Sequence, residues 1–377
     1  MRTYQVLAHC ARAECDAAHT HQLAQQLSEF TEWEGISAQA EAHGLGPLLY
    51  VHLKAAGTLL PPTVKRELQG LYLRHRQANR VRTRVLGEIL AAYNAAGIQA
   101  LVLKGAALSH LIYPEPGLRP MGDLDLLVRK AEAWRGQSLL TDLGFSAPLP
   151  GGETLPDKSM AQAILLTEGL PVGVEIHHNL CEGFDPLSMT MDDLTAAPLP
   201  FSLGSMTAHA LGYEDMLWHL CHHMIIHSIG NPIRLIWVAD IVSFAERFLG
   251  DIDWERIRRH YPMILNTLSL LHFVTPLSEA LLGKAPVETG RQPQGIAVDF
   301  EARPQIRLAH WRRKGYWRVL RHASFPSELW LRMYYVLDTT RWLFWYRWVR
   351  HPLEMLRLFG PRLLKRIRRR ISERSDC

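Results

Sequence analysis

Cysteine is scarce in this chain: there are five in 377 residues, at positions 10, 15, 181, 221 and 377. An odd count without paired spacing does not describe a disulfide-stapled secreted fold. The thiols read as reduced, as in a cytoplasmic protein. Long hydrophobic runs are missing too. No stretch reaches the roughly 18 uninterrupted apolar residues that a spanning helix needs. The opening stretch, Met1 to His21, lacks the apolar segment of a secretory signal and carries acids early. A large excess of one charge sign is also absent, since the net charge is only +5. That charge is unevenly spread. Residues 301–377 hold 19 Lys and Arg against 6 Asp and Glu, a net of +13, so the remainder carries −8. The basic character therefore belongs to the tail, and says nothing directly about the rest.

What is present is concentrated in Ala100 to Val128, ALVLKGAALSHLIYPEPGLRPMGDLDLLV. An apolar run, Ala100 to Leu103, meets Lys104-Gly105 and then a helical pattern. A Pro- and Gly-rich loop ends at Gly122, and a second apolar run carries two carboxylates in alternation, Asp123-Leu124-Asp125-Leu126-Leu127-Val128. Residues i and i+2 of a strand share a face, so Asp123 and Asp125 project side by side from a strand that otherwise reads as buried. Two like charges there are costly unless a cation lies between them. A divalent metal site with oxygen ligands, suited to Mg²⁺ or Mn²⁺, is the expectation.

The pattern resembles the nucleotidyltransferase fold of the DNA polymerase beta superfamily. It is similar in particular to a bacterial family of uncharacterised nucleotidyltransferases that carry Lys-Gly and then Leu-Arg-Pro-Met-Gly-Asp-Leu-Asp-Leu-Leu-Val, here Lys104-Gly105 and Leu118 to Val128. The likeness runs on more loosely through Val174-Glu175-Ile176-His177 and Arg234, Trp237 and Asp240. It implies an α+β fold: a small mixed sheet with helices, flanked by helical regions. It also implies transfer of a nucleoside monophosphate from an NTP donor to an unidentified acceptor hydroxyl, with release of pyrophosphate. Asp123, Asp125 and Glu175 are then the catalytic and metal-ligating residues, with Glu175 as the third carboxylate. Lys104, Gly105, Ala106, Arg119 and His177 line the nucleotide. One departure is Gly105-Ala106, where the superfamily has Gly-Ser or Gly-Gly. The hydroxyl that would contact a phosphate is missing. An inactive binding or regulatory protein on the same scaffold is therefore the alternative. A nucleotide-sugar glycosyltransferase, which also uses Asp-x-Asp, is a further one.

In chain order, residues 1–95 read as a helical region, with a long helix from about Thr63 to Ala95 opened by Pro61-Pro62. Its arginines, Arg74, Arg76, Arg80, Arg82 and Arg84, read as a solvated face. The core, 96–205, reads as strand 99–103, helix 106–113, strand 123–128, helix 131–143 and a hairpin of strands 161–167 and 172–178. Glu175 and His177 alternate onto one face of the last strand. A helical subdomain, 206–300, includes Tyr213 to Ser228, which places His219, His223 and His227 on one face. No Cys or carboxylate at ligand spacing completes a zinc site there, and the row reads as packing or as a cleft lining. Ile233 to Phe248 forms the next helix, with Arg234 and Asp240 as a pair, and Gly290 to Pro304 is a loop. The tail, 301–377, is rich in Trp, Tyr and Arg. Its aromatics read as completing the helical core. Its last segment, Leu356 to Ile371, is a basic amphipathic helix suited to an anionic membrane surface or to nucleic acid, and peripheral attachment at the inner membrane face is the matching expectation.

Overall fold

A computed structural model describes residues 2–146, 161–181, 187–229, 231–287, 290–300, 326–337 and 340–357. Four short helices open the chain: α1 (Thr3–His9), α2 (Ala17–Leu27), α3 (Ile36–Ala42) and α4 (Gly46–Ala55). They pack against the long helix α5 (Pro62–Ala95), which begins at Pro61-Pro62 as expected. Proline is tolerated there because a first-turn N–H has no intrahelical acceptor. Gly97, at φ +70°, turns the chain out of α5 into the sheet, a conformation that costs glycine little.

The sheet has six strands: β1 (Leu101–Val102), β2 (Asp123–Leu127), β3 (Ala161–Thr167), β4 (Leu170–His177), β5 (Leu199–Leu203) and β6 (Met206–Ala210). They lie in the order β3-β4-β2-β1-β6-β5. β2 pairs parallel with β4 and antiparallel with β1, while β1 pairs parallel with β6, so the sheet is mixed. With the helices on it, the architecture is α+β. β4 alternates buried apolar residues, Val172, Val174 and Ile176, with Glu175 and His177 on the other face. The hairpin β5–β6 is not evident from sequence, where Ala, Thr, Ser and Pro200 give a weak strand signal. β5 is an edge strand, and proline is admitted at an edge because no further strand needs its N–H.

α6 (Lys104–Leu111) and α7 (Ala133–Asp142) flank the sheet, and α6 starts two residues earlier than the expected 106. A helical layer follows: α8 (Tyr213–His227), α9 (Leu235–Arg247), α10 (Trp254–His260), α11 (Pro262–Leu271), α12 (Glu279–Lys284), α13 (Ile296–Phe300) and α14 (Glu328–Tyr334). α13 lies within the stretch expected to be a loop. One continuous core joins both layers, from Leu7 and Leu48 through Leu126 and Ile176 to Phe244 and Leu331. None of the described cysteines, Cys10, Cys15, Cys181 and Cys221, is in a disulfide. Among the described residues no helix is long and apolar enough to cross a membrane.

The tail aromatics do not complete the core as expected. Trp330 does, with its indole N–H donating to the Ile225 carbonyl at 2.9 Å. Trp342, Phe344, Trp345 and Trp348 are exposed. The basic amphipathic helix expected at 356–371 falls almost wholly outside the described residues.

Candidate functional site

Strand alternation fixes the first part of the site. On β2, Leu124 and Leu126 point into the core, so Asp123 and Asp125 occupy the opposite face. The parallel register sets Asp125 directly beside Glu175 and Leu127 beside His177. Opposite Asp123 stands Gly173, which leaves the Asp123 side chain open space on that side. Ligand atoms of Asp125, Glu175 and His177 all lie within 4.8 Å of one another, which makes this the group that can hold a metal ion among the described residues. Sequence reasoning expects Asp123, Asp125 and Glu175 as the ligands. The structure draws His177 into the group and leaves Asp123 outside it, exposed at the start of β2.

Asp125 is the centre of the electrostatics. It is 4% exposed and accepts hydrogen bonds from Lys104 Nζ at 3.0 Å and from His177 Nε2 at 2.8 Å. Burial alone would raise its pKa, but Lys104 and His177 outweigh burial and hold the carboxyl well below the usual range. Glu175 moves the other way. Burial raises its pKa, and the neighbouring charges of Asp125 and Asp123 raise it further. Asp123 is likewise raised, by burial and by Asp125. Three acids on one face thus repel one another, and the donor set of two carboxylates and an imidazole fits a divalent cation such as Mn²⁺ or Mg²⁺.

Lys104 reaches Asp125 from the turn between β1 and α6. Its φ of +46° lies in the left-handed region, where a residue with a Cβ is strained. Leu103 N donates to the Asp125 carbonyl at 2.9 Å and closes the end of β1 against β2. Gly105 follows. A Cβ there would lie 2.6 Å from Arg119 Nη1 and 2.9 Å from its Cζ. The glycine is thus required by the arginine packed on it. Ala106 is buried in the first turn of α6.

Arg119 is placed differently from the expectation that it contacts phosphate. Its Nη2 donates to Asp240 Oδ2 at 2.6 Å, its Nε donates to both Asp240 oxygens, and Nη1 donates to the Pro120 carbonyl at 2.5 Å. Tyr113 O–H also donates to Asp240 Oδ1, at 2.7 Å. The partner of Asp240 is therefore Arg119, not Arg234 as the sequence suggests. Arg234 instead stands over the Trp237 ring, 5.9 Å from its centroid.

The histidine row of α8 faces the same region. His219 is 2% exposed, and neither ring nitrogen has a hydrogen-bond partner among the described residues. Burial, followed by the charges of Lys104 and His177, pushes its pKa well down. His223 meets Trp237 edge-on at 5.5 Å, and burial and Lys104 depress its pKa as well. The row thus reads as a cleft wall facing Lys104.

Sequence reasoning misses Arg82. It is 8% exposed, on the stripe of α5 that also carries Val85, Leu86 and Ile89. That apolar stripe was the signal that would have moved it off the solvated face.

Comparison with known proteins follows from this geometry. No curated protein matches the chain. Among solved structures, the antibiotic-resistance factor ANT(2'')-Ia is 12% identical, with a TM-score of 0.34 over 45% of this chain and 84% of that one. A nucleotidyltransferase-like protein from Paracoccidioides brasiliensis is 15% identical, with a TM-score of 0.35 over 54% of this chain and 96% of that one. The family described as uncharacterised nucleotidyltransferase matches residues 29–283, a span that contains the whole sheet, the acidic face and α8–α11. The chain belongs to the uncharacterised nucleotidyltransferase family.

Proposed function

We propose that the chain transfers a nucleoside monophosphate from an NTP to an acceptor hydroxyl, releasing pyrophosphate. The observation that carries this reading is the register of β2 and β4, which sets Asp125 beside Glu175, with His177 completing a group within 4.8 Å. A divalent cation held by Asp125, His177 and Glu175, with Asp123 at the strand end, would neutralise the phosphate oxygens and favour in-line attack. The acceptor oxygen forms the new bond to the α-phosphorus as the bond to the bridging oxygen breaks, and the charge leaves with pyrophosphate. Glu175, whose proton affinity is raised by burial and by the two aspartates, is placed to take the acceptor proton. Lys104 stands at the turn as a point charge for the triphosphate. The His219–His223 face of α8 bounds the cleft for the acceptor.

A second reading is a binding protein without turnover. Its support is that Lys104 and His177 already neutralise Asp125, and that Ala106 brings no hydroxyl to a phosphate. Calorimetric titration of each NTP with and without Mg²⁺ or Mn²⁺, paired with a pyrophosphate-release assay, separates the two. The transfer reading expects metal-dependent binding and pyrophosphate, both lost in Asp123→Asn/Asp125→Asn. Binding without pyrophosphate release favours the second reading. Undiminished binding in the double variant removes the site altogether.

A further inference from the structure

Five arginines punctuate the middle of α5, and four of them have a carboxylate partner. Arg74 pairs with Glu41, Arg76 with Glu115 at 3.8 Å, Arg80 with Glu168 at 3.4 Å, and Arg84 with Glu168 at 2.9 Å. These four lie on the exposed side. Arg82 is buried at 8% exposure, and it has neither an ion pair nor a hydrogen bond among the described residues. That is the reverse of what desolvation demands, since a buried cation without a counter-charge is costly.

Its position explains what would offset the cost. Asn79, one turn earlier on the same face, donates to the Pro116 carbonyl at 2.6 Å and to the Arg119 carbonyl at 2.7 Å. These bonds tie α5 to the loop that leads directly into Gly122 and Asp123. Arg82 therefore emerges beside the exposed end of β2, and Asp123 is the acid whose charge it feels. Arg234 approaches Asp123 from another element, the residue preceding α9. It too lacks an ion pair among the described residues, and Trp237 supports its guanidinium. Arg234 is exposed, yet the surrounding protein desolvates it enough to lower its pKa, as on the wall of a cleft. Lys104 and Arg119 already have carboxylate partners in Asp125 and Asp240. The cations with charge to spare around Asp123 are thus Arg82 and Arg234.

We infer that Arg82 and Arg234 form a polyphosphate seat at the Asp123 end of the site, holding the terminal phosphates of the donor nucleotide. Two guanidiniums without counter-ions suit a group with several negative charges better than a single carboxylate. Each presents N–H donors in the planar fork that matches phosphate oxygens. The seat takes the part that sequence reasoning assigns to Arg119. The inference rests on the transfer reading only for the identity of the bound group, because an anion site exists with or without turnover.

The test is calorimetric binding of inorganic tripolyphosphate, without divalent cation, to the wild type, Arg82→Gln and Arg234→Gln. The wild type binds, and each variant binds about tenfold or more weakly, as expected for loss of a charge-assisted contact. Ligand-free Arg82→Gln melts at or above the wild-type temperature, because a desolvated charge has been removed. A merely structural role for Arg82 predicts the opposite: lower melting and unchanged affinity. No tripolyphosphate binding by the wild type, or wild-type affinity in both variants, overturns the seat. Should Arg82→Gln fail to fold, Arg234→Gln decides, and wild-type affinity there overturns the inference. Weakened tripolyphosphate binding in the variants of a protein that turns over no NTP leaves the seat standing and removes the transfer reading. Pyrophosphate release by the wild type, with unaltered tripolyphosphate affinity in both variants, does the reverse.

Discussion

Replacing Asp240 by leucine tests the scaffold under the site. Asp240 is 1% exposed and is the shared acceptor for Arg119 and Tyr113. Its removal leaves a guanidinium that is 8% exposed without its counter-charge, and a buried phenol without its acceptor. Breaking a buried pair from one side costs about 3–5 kcal/mol, because the remaining charge stays desolvated. The outcome expected for Asp240→Leu is therefore a loss of about 3 kcal/mol or more, read from the urea midpoint at unchanged slope. Replacing both charges, Arg119→Met with Asp240→Leu, restores most of the loss, since an apolar pair of similar volume needs no compensation. The positive coupling in that double-mutant cycle is the signature of the pair. Asp240→Asn, which keeps one acceptor oxygen, falls between. A loss below about 1 kcal/mol in Asp240→Leu would show that water reaches Arg119, and the account of its burial would be wrong.

The same wall explains Gly105. Gly105→Ala should destabilise by about 1–3 kcal/mol, because Arg119 is pinned and cannot yield to a Cβ at 2.6 Å; denaturation in the Arg119→Met background should show most of that cost removed. A pH series probes His43, which burial and Arg234 push down to about 4. The unfolded chain takes this proton near the ordinary value of about 6.5, so stability is full above that pH, falls by up to about 3 kcal/mol towards pH 4, and then levels off. His43→Leu should flatten that part of the curve, and an unaltered acid limb would refute the assignment. Mn²⁺ at a hundredfold over its dissociation constant should raise the unfolding free energy by about 2.7 kcal/mol, an increment that Glu175→Gln should reduce in urea titrations.

Much of this site is a local property of the sequence. The period of two along Asp123 to Leu127 and along Val172 to His177 is enough to put each acidic pair on one face, whatever the strands pack against. Pro61-Pro62 and Gly97 delimit α5 by the same local logic, through a missing N–H and a left-handed φ. Tertiary structure decided what is non-local. Only the pairing of β2 with β4 aligns Asp125 with Glu175 and brings His177 into the ligand group in place of Asp123. Only packing joins Arg119 to Asp240, separated by 121 residues, and so withdraws that arginine from the phosphate role. Helical periodicity alone did not keep Arg82 off the solvated row, because which side of α5 is covered depends on the loop that Asn79 holds against it. The β5–β6 hairpin was hidden for the same reason. Its residues have weak strand preference, and the parallel bridge between Ala210 and Val102 joins β6 to a strand more than a hundred residues earlier. Backbone periodicity is written in neighbours along the chain, whereas partner choice is settled by charge, burial and register between segments that meet only after folding.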